Sequence, residues 1–362
     1  MPKLKKAAFA LLALICFLAA AEGIARLLVS PPGSVYEEHT ETIRVLGLPD
    51  LNKVLEFDPY LFWRLKKKLR DAPVEGRIRD HLVKFSVSTH EHLRTPPFEK
   101  EKTKFRILAL GDSCTFGVGV EDHQTWPAQL QRILADRTME TEVINAGVPG
   151  YTAFQGKRTL ESSGLALEPD LVLISFGFND ADVWASRGDE ATAEELAWSG
   201  WDTPLLSSRL YVGLKRAYAA LMLDPQPSSE GDSAGEIDPR NAPTWETSGR
   251  PRLTPAEFRD NLRAIKELCD ARGVRLVFVV WPSEAQVRNR VRRFVDYQLV
   301  AASFCRSNGV TLMNLVEAFQ EAEGPLFVDH IHANPRGCQV AAQAIAEIFR
   351  PQPAGGLFPL PK

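Results

Sequence analysis

Short, mostly apolar runs alternate along this chain with amphipathic stretches. In Phe105–Leu110 (FRILAL), Phe105, Ile107 and Ala109 would line one face of a strand and Leu108 and Leu110 the other, the pattern of a strand covered on both sides. Leu171–Phe176 (LVLISF) and Arg275–Val280 (RLVFVV) read the same way, with shorter strands expected at Thr141–Asn145 and Thr311–Leu315. Helical spacing fills the intervals. Thr125–Ala135 carries Trp126, Leu130, Ile133 and Leu134 on one face, and Thr152–Leu165, Val291–Phe304 and Pro335–Phe349 are further helices. Thr254–Ala271 opens with Thr254, Pro255 and Glu257, a cap, a first-turn proline and the third-position glutamate that closes a capping box.

Strands near 105, 142, 171, 275 and 311 separated by helices predict an α/β domain with a mostly parallel sheet and helices on both faces. Right-handed crossovers place the loops that follow the strands along one rim. Ser113, the segment Asn145–Tyr151 and Asn179 therefore converge on that rim. A serine in the turn GDSCTFGVG, just past the first strand, meets backbone N–H groups suited to an anion, although the same string also serves as a plain turn.

The flanks differ from this core. Residues 1–6 carry three lysines, and Ala7–Ala21 is then fifteen residues without a charge, a signal-sequence pattern. Two outcomes stay open: cleavage after the small residues Ala19–Ala21, or an uncleaved anchor extending over residues 1–29, since Gly23–Val29 resumes the apolar character after Glu22. The favoured expectation is a single membrane helix at the bacterial inner membrane, with the folded part outside the cytoplasm; cleavage would make the protein secreted or periplasmic. Ser30–Gly33 (SPPG) ends that helix, and residues 34–104 form a lead-in. In it, Val83, Phe85 and Val87 alternate with polar residues as in a hairpin arm, and Phe57–Arg70 sets aromatics before a basic cluster. Residues 182–253 interrupt the alternation. Trp184, Trp198, Trp201 and Leu205–Met222 could cap the rim, Pro225–Arg252 reads as an exposed loop, and 351–362 as a flexible tail.

Composition narrows the partners rather than the fold. Net charge of −3 and 25% charged residues give no electrostatic case for nucleic acid. Five cysteines (16, 114, 269, 305 and 338) form neither a dense disulfide framework nor a metal-spaced set, although Cys269 and Cys305 could pair in an oxidising compartment.

The chemistry available at the rim is that of an activated serine. A serine hydroxyl needs a histidine to take its proton and a carboxylate to orient that histidine. His332 with Asp329 three residues before it, in FVDHIHANPRG, is the pair chosen; His330 is expected to point away. Oxyanion donors would be the N–H of Ser113, the N–H of Gly147 and the amide of Asn179. Each has a plainer use, His332 as a surface or capping group, Gly147 as a turn glycine and Asn179 with Asp180 as an Asx turn. No metal or cofactor is required by this scheme.

Gly111-Asp112-Ser113, Gly147 within NAGVPGYT, Gly177-Phe178-Asn179-Asp180 and Asp329-His330-Ile331-His332 resemble, in order, the four signature blocks of the SGNH hydrolases, also called the GDSL lipase/esterase superfamily. The resemblance covers about residues 105–349. It implies a three-layer α/β/α flavodoxin-like fold, here with an N-terminal membrane helix and an inserted cap. It also implies Ser113 as nucleophile, His332 as base oriented by Asp329, and an oxyanion hole of Ser113, Gly147 and Asn179. Cys114 stands where the familiar string has leucine, a packing position. Relatives cleave esters or thioesters, and some move acetyl groups on or off envelope polysaccharides. The expected function is thus serine-dependent deacylation of an O-acylated envelope carbohydrate or another small-acyl ester. An O-acyltransferase and a non-catalytic envelope-binding or assembly protein are the alternatives; an α/β-hydrolase is weaker because no G-x-S-x-G elbow is present.

Overall fold

The computed structural model describes residues 2–28, 48, 50–58, 60–78, 81–99, 101–182, 188–193, 208–211, 213–214, 250–291 and 295–350. Trp184, Trp198, Trp201, most of Leu205–Met222, nearly all of Pro225–Arg252 and the tail 351–362 lie outside the described residues.

The apolar N-terminal run forms one 27-residue helix, α1 (Pro2–Leu28). Among the described residues no helix is long and apolar enough to cross a membrane. Its apolar run is broken by Glu22, which pairs with Arg26 at 2.9 Å and accepts from Ser208 Oγ at 2.7 Å and from the N–H groups of Arg209 and Leu210.

The lead-in folds as two antiparallel hairpins, β1 (Leu55–Asp58) with β2 (Phe62–Leu65) and β3 (Lys68–Ile78) with β4 (His81–His90). Alternation decides which side chains go in: Val83, Phe85 and Val87 are buried, as are Phe62, Trp63 and Leu65, whereas Lys67, Lys68 and Arg70 remain exposed. These apolar faces join the core on one side of the main sheet. Arg94, just beyond, is buried with all its donors engaged, by Asp122 (2.8 Å) and the carbonyls of Ser86, Phe116, Gly117 and Val120. It ties the hairpin to the turn that carries Ser113.

The main sheet has five parallel strands: β5 (Phe105–Gly111), β6 (Thr141–Gly147), β7 (Leu171–Ser175), β8 (Arg275–Val280) and β9 (Thr311–Asn314), in the order β6-β5-β7-β8-β9. This is the flavodoxin-like order, with its switch point between β5 and β7. The connecting helices are α2 (Ser113–Phe116), α3 (Trp126–Asp136), α4 (Ala153–Thr159), α5 (Phe178–Ala181), α6 (Pro255–Asp270), α7 (Asp296–Asn308), α8 (Leu315–Glu321) and α9 (Pro335–Ala346). Residues one apart on each strand enter opposite cores. Leu108, Leu110, Val172, Ile174 and Phe278 pack with α4, α6 and α7, while Ile107, Ala109, Leu171, Leu173 and Val277 pack with α3, α8 and α9. The sheet is therefore the middle of three layers.

Local chemistry sets the helix ends. Thr254 Oγ1 accepts the Glu257 N–H while the Glu257 carboxylate accepts the Thr254 N–H at 2.7 Å, the capping box read from the sequence. The expected helix Val291–Phe304 instead starts at Asp296, because Arg290 turns with φ of 51° and Val295 is extended; it runs on to Asn308, where Gly309 takes φ of 64°. Cys269 and Cys305 are both free thiols, contrary to the suggested bridge. Each is buried as a small apolar group, and burial pushes both up to about 12.

Candidate active site

β5 ends at Gly111, where a Cβ would strike Thr115 and the Ser175 carbonyl, so only glycine lets the strand meet β7 here. Asp112 is extended and its Oδ1 accepts the Cys114 N–H at 2.8 Å, which caps the single turn α2 and fixes Ser113 at its start. Gly117, at φ of 91°, ends that turn. Cys114 packs in the core below, with its thiol toward the Ile331 carbonyl at 3.6 Å.

The opposite wall is the loop from Leu326 to Asn334. A bridge between Phe327 and Ala333 closes it, and Val328 N–H donates to the His332 carbonyl at 2.7 Å. Trp281 Nε1 donates to the Ile331 carbonyl at 2.8 Å, and Glu284 N–H to that of His330 at 2.7 Å. Inside this frame Asp329 Oδ1 accepts the N–H groups of Ile331 (2.8 Å) and His332 (2.7 Å), while Oδ2 lies 2.6 Å from His332 Nδ1. His332 Nε2 lies 2.8 Å from Ser113 Oγ. The structure thus joins Ser113, His332 and Asp329 into one hydrogen-bonded chain across 219 residues of sequence. His330 turns outward, its side chain 61% exposed and its Nδ1 3.9 Å from Asp329.

Burial would raise the Asp329 carboxyl, but the adjacent His332 ring and the two N–H donors outweigh it and hold the group well below the usual carboxylate range. Asp112 shows the reverse balance. Burial pushes it up to about 6 against the Cys114 N–H and the nearby His332. Among the described residues no group of three or more His, Cys, Asp or Glu side chains is arranged to hold a metal ion.

The rim loop after β6 is where the structure departs from expectation. Gly147 N–H donates to Asn145 Oδ1 at 2.9 Å, so it is already used within an Asx turn and does not face the serine as a free donor. A Cβ at Gly147 would land on the backbone of Thr115 and Phe116, so glycine is needed there for packing against α2. Immediately after it, Val148–Tyr151 forms a β-turn closed by Tyr151 N–H to the Val148 carbonyl at 3.2 Å, with Gly150 at φ of 80°, the type II value for its third residue. The N–H groups of Gly150 and Ser113 have no protein acceptor among the described residues.

Asn179 sits on α5, beyond β7, and its Nδ2 donates to the Tyr151 carbonyl at 3.0 Å and more loosely to Asp112 Oδ2 at 3.4 Å. It thereby brackets the space between the Ser113 turn and the Val148–Tyr151 turn. Its neighbour Asp180 is buried and structural: its oxygens accept the N–H groups of Ala153 (2.8 Å) and Gly177 (2.9 Å). The sequence reading gave no separate role to Asn145 or Gly150. The readable signals were the asparagine two residues before Gly147 and the Pro149-Gly150 pair, which favours a type II turn.

The ends of the 182–253 insertion that are described pack against this rim. Arg252, fully buried, donates to Asp189 Oδ1 (2.9 Å) and Oδ2 (3.0 Å), to the Gly150 carbonyl (2.6 Å) and to Gln155 Oε1 (2.9 Å), and Thr152 Oγ1 donates to Asp189 at 2.6 Å.

Esterase TesA of Pseudomonas aeruginosa is 36% identical over 74 residues, 20% of this chain and 37% of TesA. An arylesterase of Vibrio mimicus is 35% identical over 75 residues, 21% of this chain and 38% of that enzyme. The chain thus matches little more than a third of the length of these curated relatives. Among solved structures, a G-D-S-L family lipolytic protein of Desulfitobacterium hafniense aligns over 67% of this chain and 98% of its own at 14% identity and a TM-score of 0.41. The model of the GDSL-like lipase/acylhydrolase family matches residues 109–340, well over half of the sequence, and the chain belongs to that family.

Proposed function

We propose that the chain is a serine-dependent ester hydrolase in which Ser113 is the nucleophile, His332 the general base and Asp329 the group that orients it. The contact of 2.8 Å between Ser113 Oγ and His332 Nε2, backed by the Asp329 contact on the other ring nitrogen, carries this reading. His332 takes the hydroxyl proton as Oγ attacks the ester carbonyl, then returns it to the departing alcohol. A water molecule activated by the same imidazole cleaves the acyl-serine. The N–H groups of Ser113 and Gly150 and the amide of Asn179 are the donors for the oxyanion. Gly150 takes the place first given to Gly147, whose N–H is occupied.

The substrate class we favour is a small-acyl ester, with an O-acylated envelope carbohydrate as the natural form. The names of the two curated relatives, an esterase and an arylesterase, favour ester cleavage without specifying the alcohol. A place outside the cytoplasmic membrane, with α1 as anchor or cleaved signal, is supported by three lysines directly before the apolar run.

The test is turnover of p-nitrophenyl acetate by the full chain, comparing wild type with S113A and H332A. Wild-type turnover with both variants at background is expected, and adding a glycan acceptor should leave acetate as the main product. Equal corrected rates in all three, with wild type folded, would overturn the proposal. Predominant transfer to the glycan would replace hydrolysis by acyl transfer.

A further inference from the structure

The Val148–Tyr151 turn is held by residues from three separate parts of the chain. Trp63, on β2 and outside the family-matched residues 109–340, donates its indole Nε1–H to the Pro149 carbonyl at 2.9 Å. Arg252, at the end of the insertion, donates to the Gly150 carbonyl at 2.6 Å, and Asn179 to that of Tyr151 at 3.0 Å. Trp63 is itself fixed from the turn: Tyr151 Oη donates to the Trp63 carbonyl at 2.6 Å, and the two rings pack at 6.0 Å between centroids. Trp63, Tyr151, Arg252 and the turn itself are buried, Trp63 only 2% exposed, and Asn179 is half-buried.

The carbonyl that Trp63 holds belongs to the same planar peptide unit as the Gly150 N–H. That unit is the central peptide of the β-turn, the one whose orientation distinguishes type II from type I. Because a trans peptide is planar, its carbonyl and N–H point in opposite directions, and fixing one fixes the other. A flip would leave the backbone on either side nearly unchanged but would turn a carbonyl oxygen toward the space where the N–H now points. A carbonyl there would repel an oxyanion. A donor placed on the Pro149 oxygen opposes the flip and also polarises the N–H across the peptide.

We propose that Trp63 is a positioning residue for ester cleavage, its indole N–H keeping the Pro149–Gly150 peptide in the orientation that presents the Gly150 N–H to the oxyanion. This rests on the esterase reading above and extends it, since it makes the N-terminal hairpin part of the working site. The interaction matters to the transition state more than to the bound ester, because charge on the carbonyl oxygen develops only on attack.

The test uses the full chain with Trp63→Phe, which keeps an aromatic ring and removes the N–H, beside Leu65→Ala as a packing control on the same strand. Leu65 is fully buried in the core on the hairpin's side of the main sheet. With p-nitrophenyl acetate, W63F should lose about tenfold or more in kcat with KM within about twofold, while L65A should lower the melting temperature yet keep wild-type kcat below it. If W63F does not fold, Tyr151→Phe, which removes the bond that holds the Trp63 backbone, should lower kcat in the same direction. Wild-type kcat in folded W63F, or in Y151F where that variant stands in, overturns the inference, as does an equal kcat loss in W63F and L65A. An active wild type matched by W63F removes this inference alone; an inert, folded wild type removes the esterase reading and this inference with it.

Discussion

Asp329 grips His332 at two points: Oδ1 accepts its backbone N–H at 2.7 Å and Oδ2 faces its ring Nδ1 at 2.6 Å. One oxygen thus shapes the loop and the other selects the ring tautomer. Asp329→Asn can keep the first contact but presents an amide N–H to Nδ1. That forces the proton onto Nε2, where the ring can no longer accept from Ser113. The expected outcome is a fall in kcat of about 10³–10⁴ with little change in melting temperature. Steady-state kinetics alongside a thermal melt checks both halves.

Stability should fall as pH rises through the weakly acidic range. Burial pushes Asp112 up to about 6 and Asp180 up to about 7, against an ordinary value of 3.8 for each. Between the unfolded and folded values the native state binds more protons than the unfolded chain, so raising the pH costs stability, at most about 1.4 kcal/mol per pH unit for each group. Asp329 acts with the opposite sign. Its folded value is depressed, so its contribution is present above the unfolded value and is lost only in stronger acid. Urea denaturation from pH 4 to 8 should show the decline, and D180N should flatten it. An unchanged slope in D180N would contradict this assignment.

The Arg252–Asp189 pair should reveal itself in a mutant cycle. Both side chains are almost fully buried, and the guanidinium makes four short contacts. Arg252→Met strands a buried carboxylate and should cost about 3–5 kcal/mol in urea denaturation. Adding Asp189→Leu should recover much of that loss, because removing both charges also removes the cost of burying them. Strict additivity of the two single effects would rule out the coupling.

Two glycines of one loop should respond by different amounts. Gly147→Ala places a methyl on the backbone of α2 and should destabilise by about 3 kcal/mol or fail to fold. Gly150→Ala meets the strain of a positive φ, about 1–2 kcal/mol, and should fold. Denaturation midpoints of the two proteins separate them. The reverse ranking would contradict the close packing of Gly147 against α2.

Much of the fold was legible because it is written in local periodicity. Buried strands such as β5, β7 and β8 are nearly continuous apolar runs, and α6 announces its start through Thr254, Pro255 and Glu257. The start of α7 was misjudged by several residues, since the positive φ at Arg290 has no strong sequence signal. In the site, Ser113, Asp329 and His332 could be named in advance from the residue types an activated serine requires and from the blocks that resemble the family's, and the structure joins these three. Gly147 was chosen on the same grounds and misplaced, because two glycines three residues apart differ only in where their N–H groups point.

The amino-acid sequence by itself determined the α/β alternation, the rim on which the strand-following loops gather, and the chemical groups present there. Those properties depend on side-chain type and on spacings of a few residues. Tertiary structure alone decided which amide remains free, that Cys269 and Cys305 stay unbridged, and that Trp63 and Arg252 reach the Val148–Tyr151 turn. Hydrogen-bond direction and contacts between segments 86 or 102 residues apart arise only when the packed backbone sets distances and angles, which no local pattern encodes.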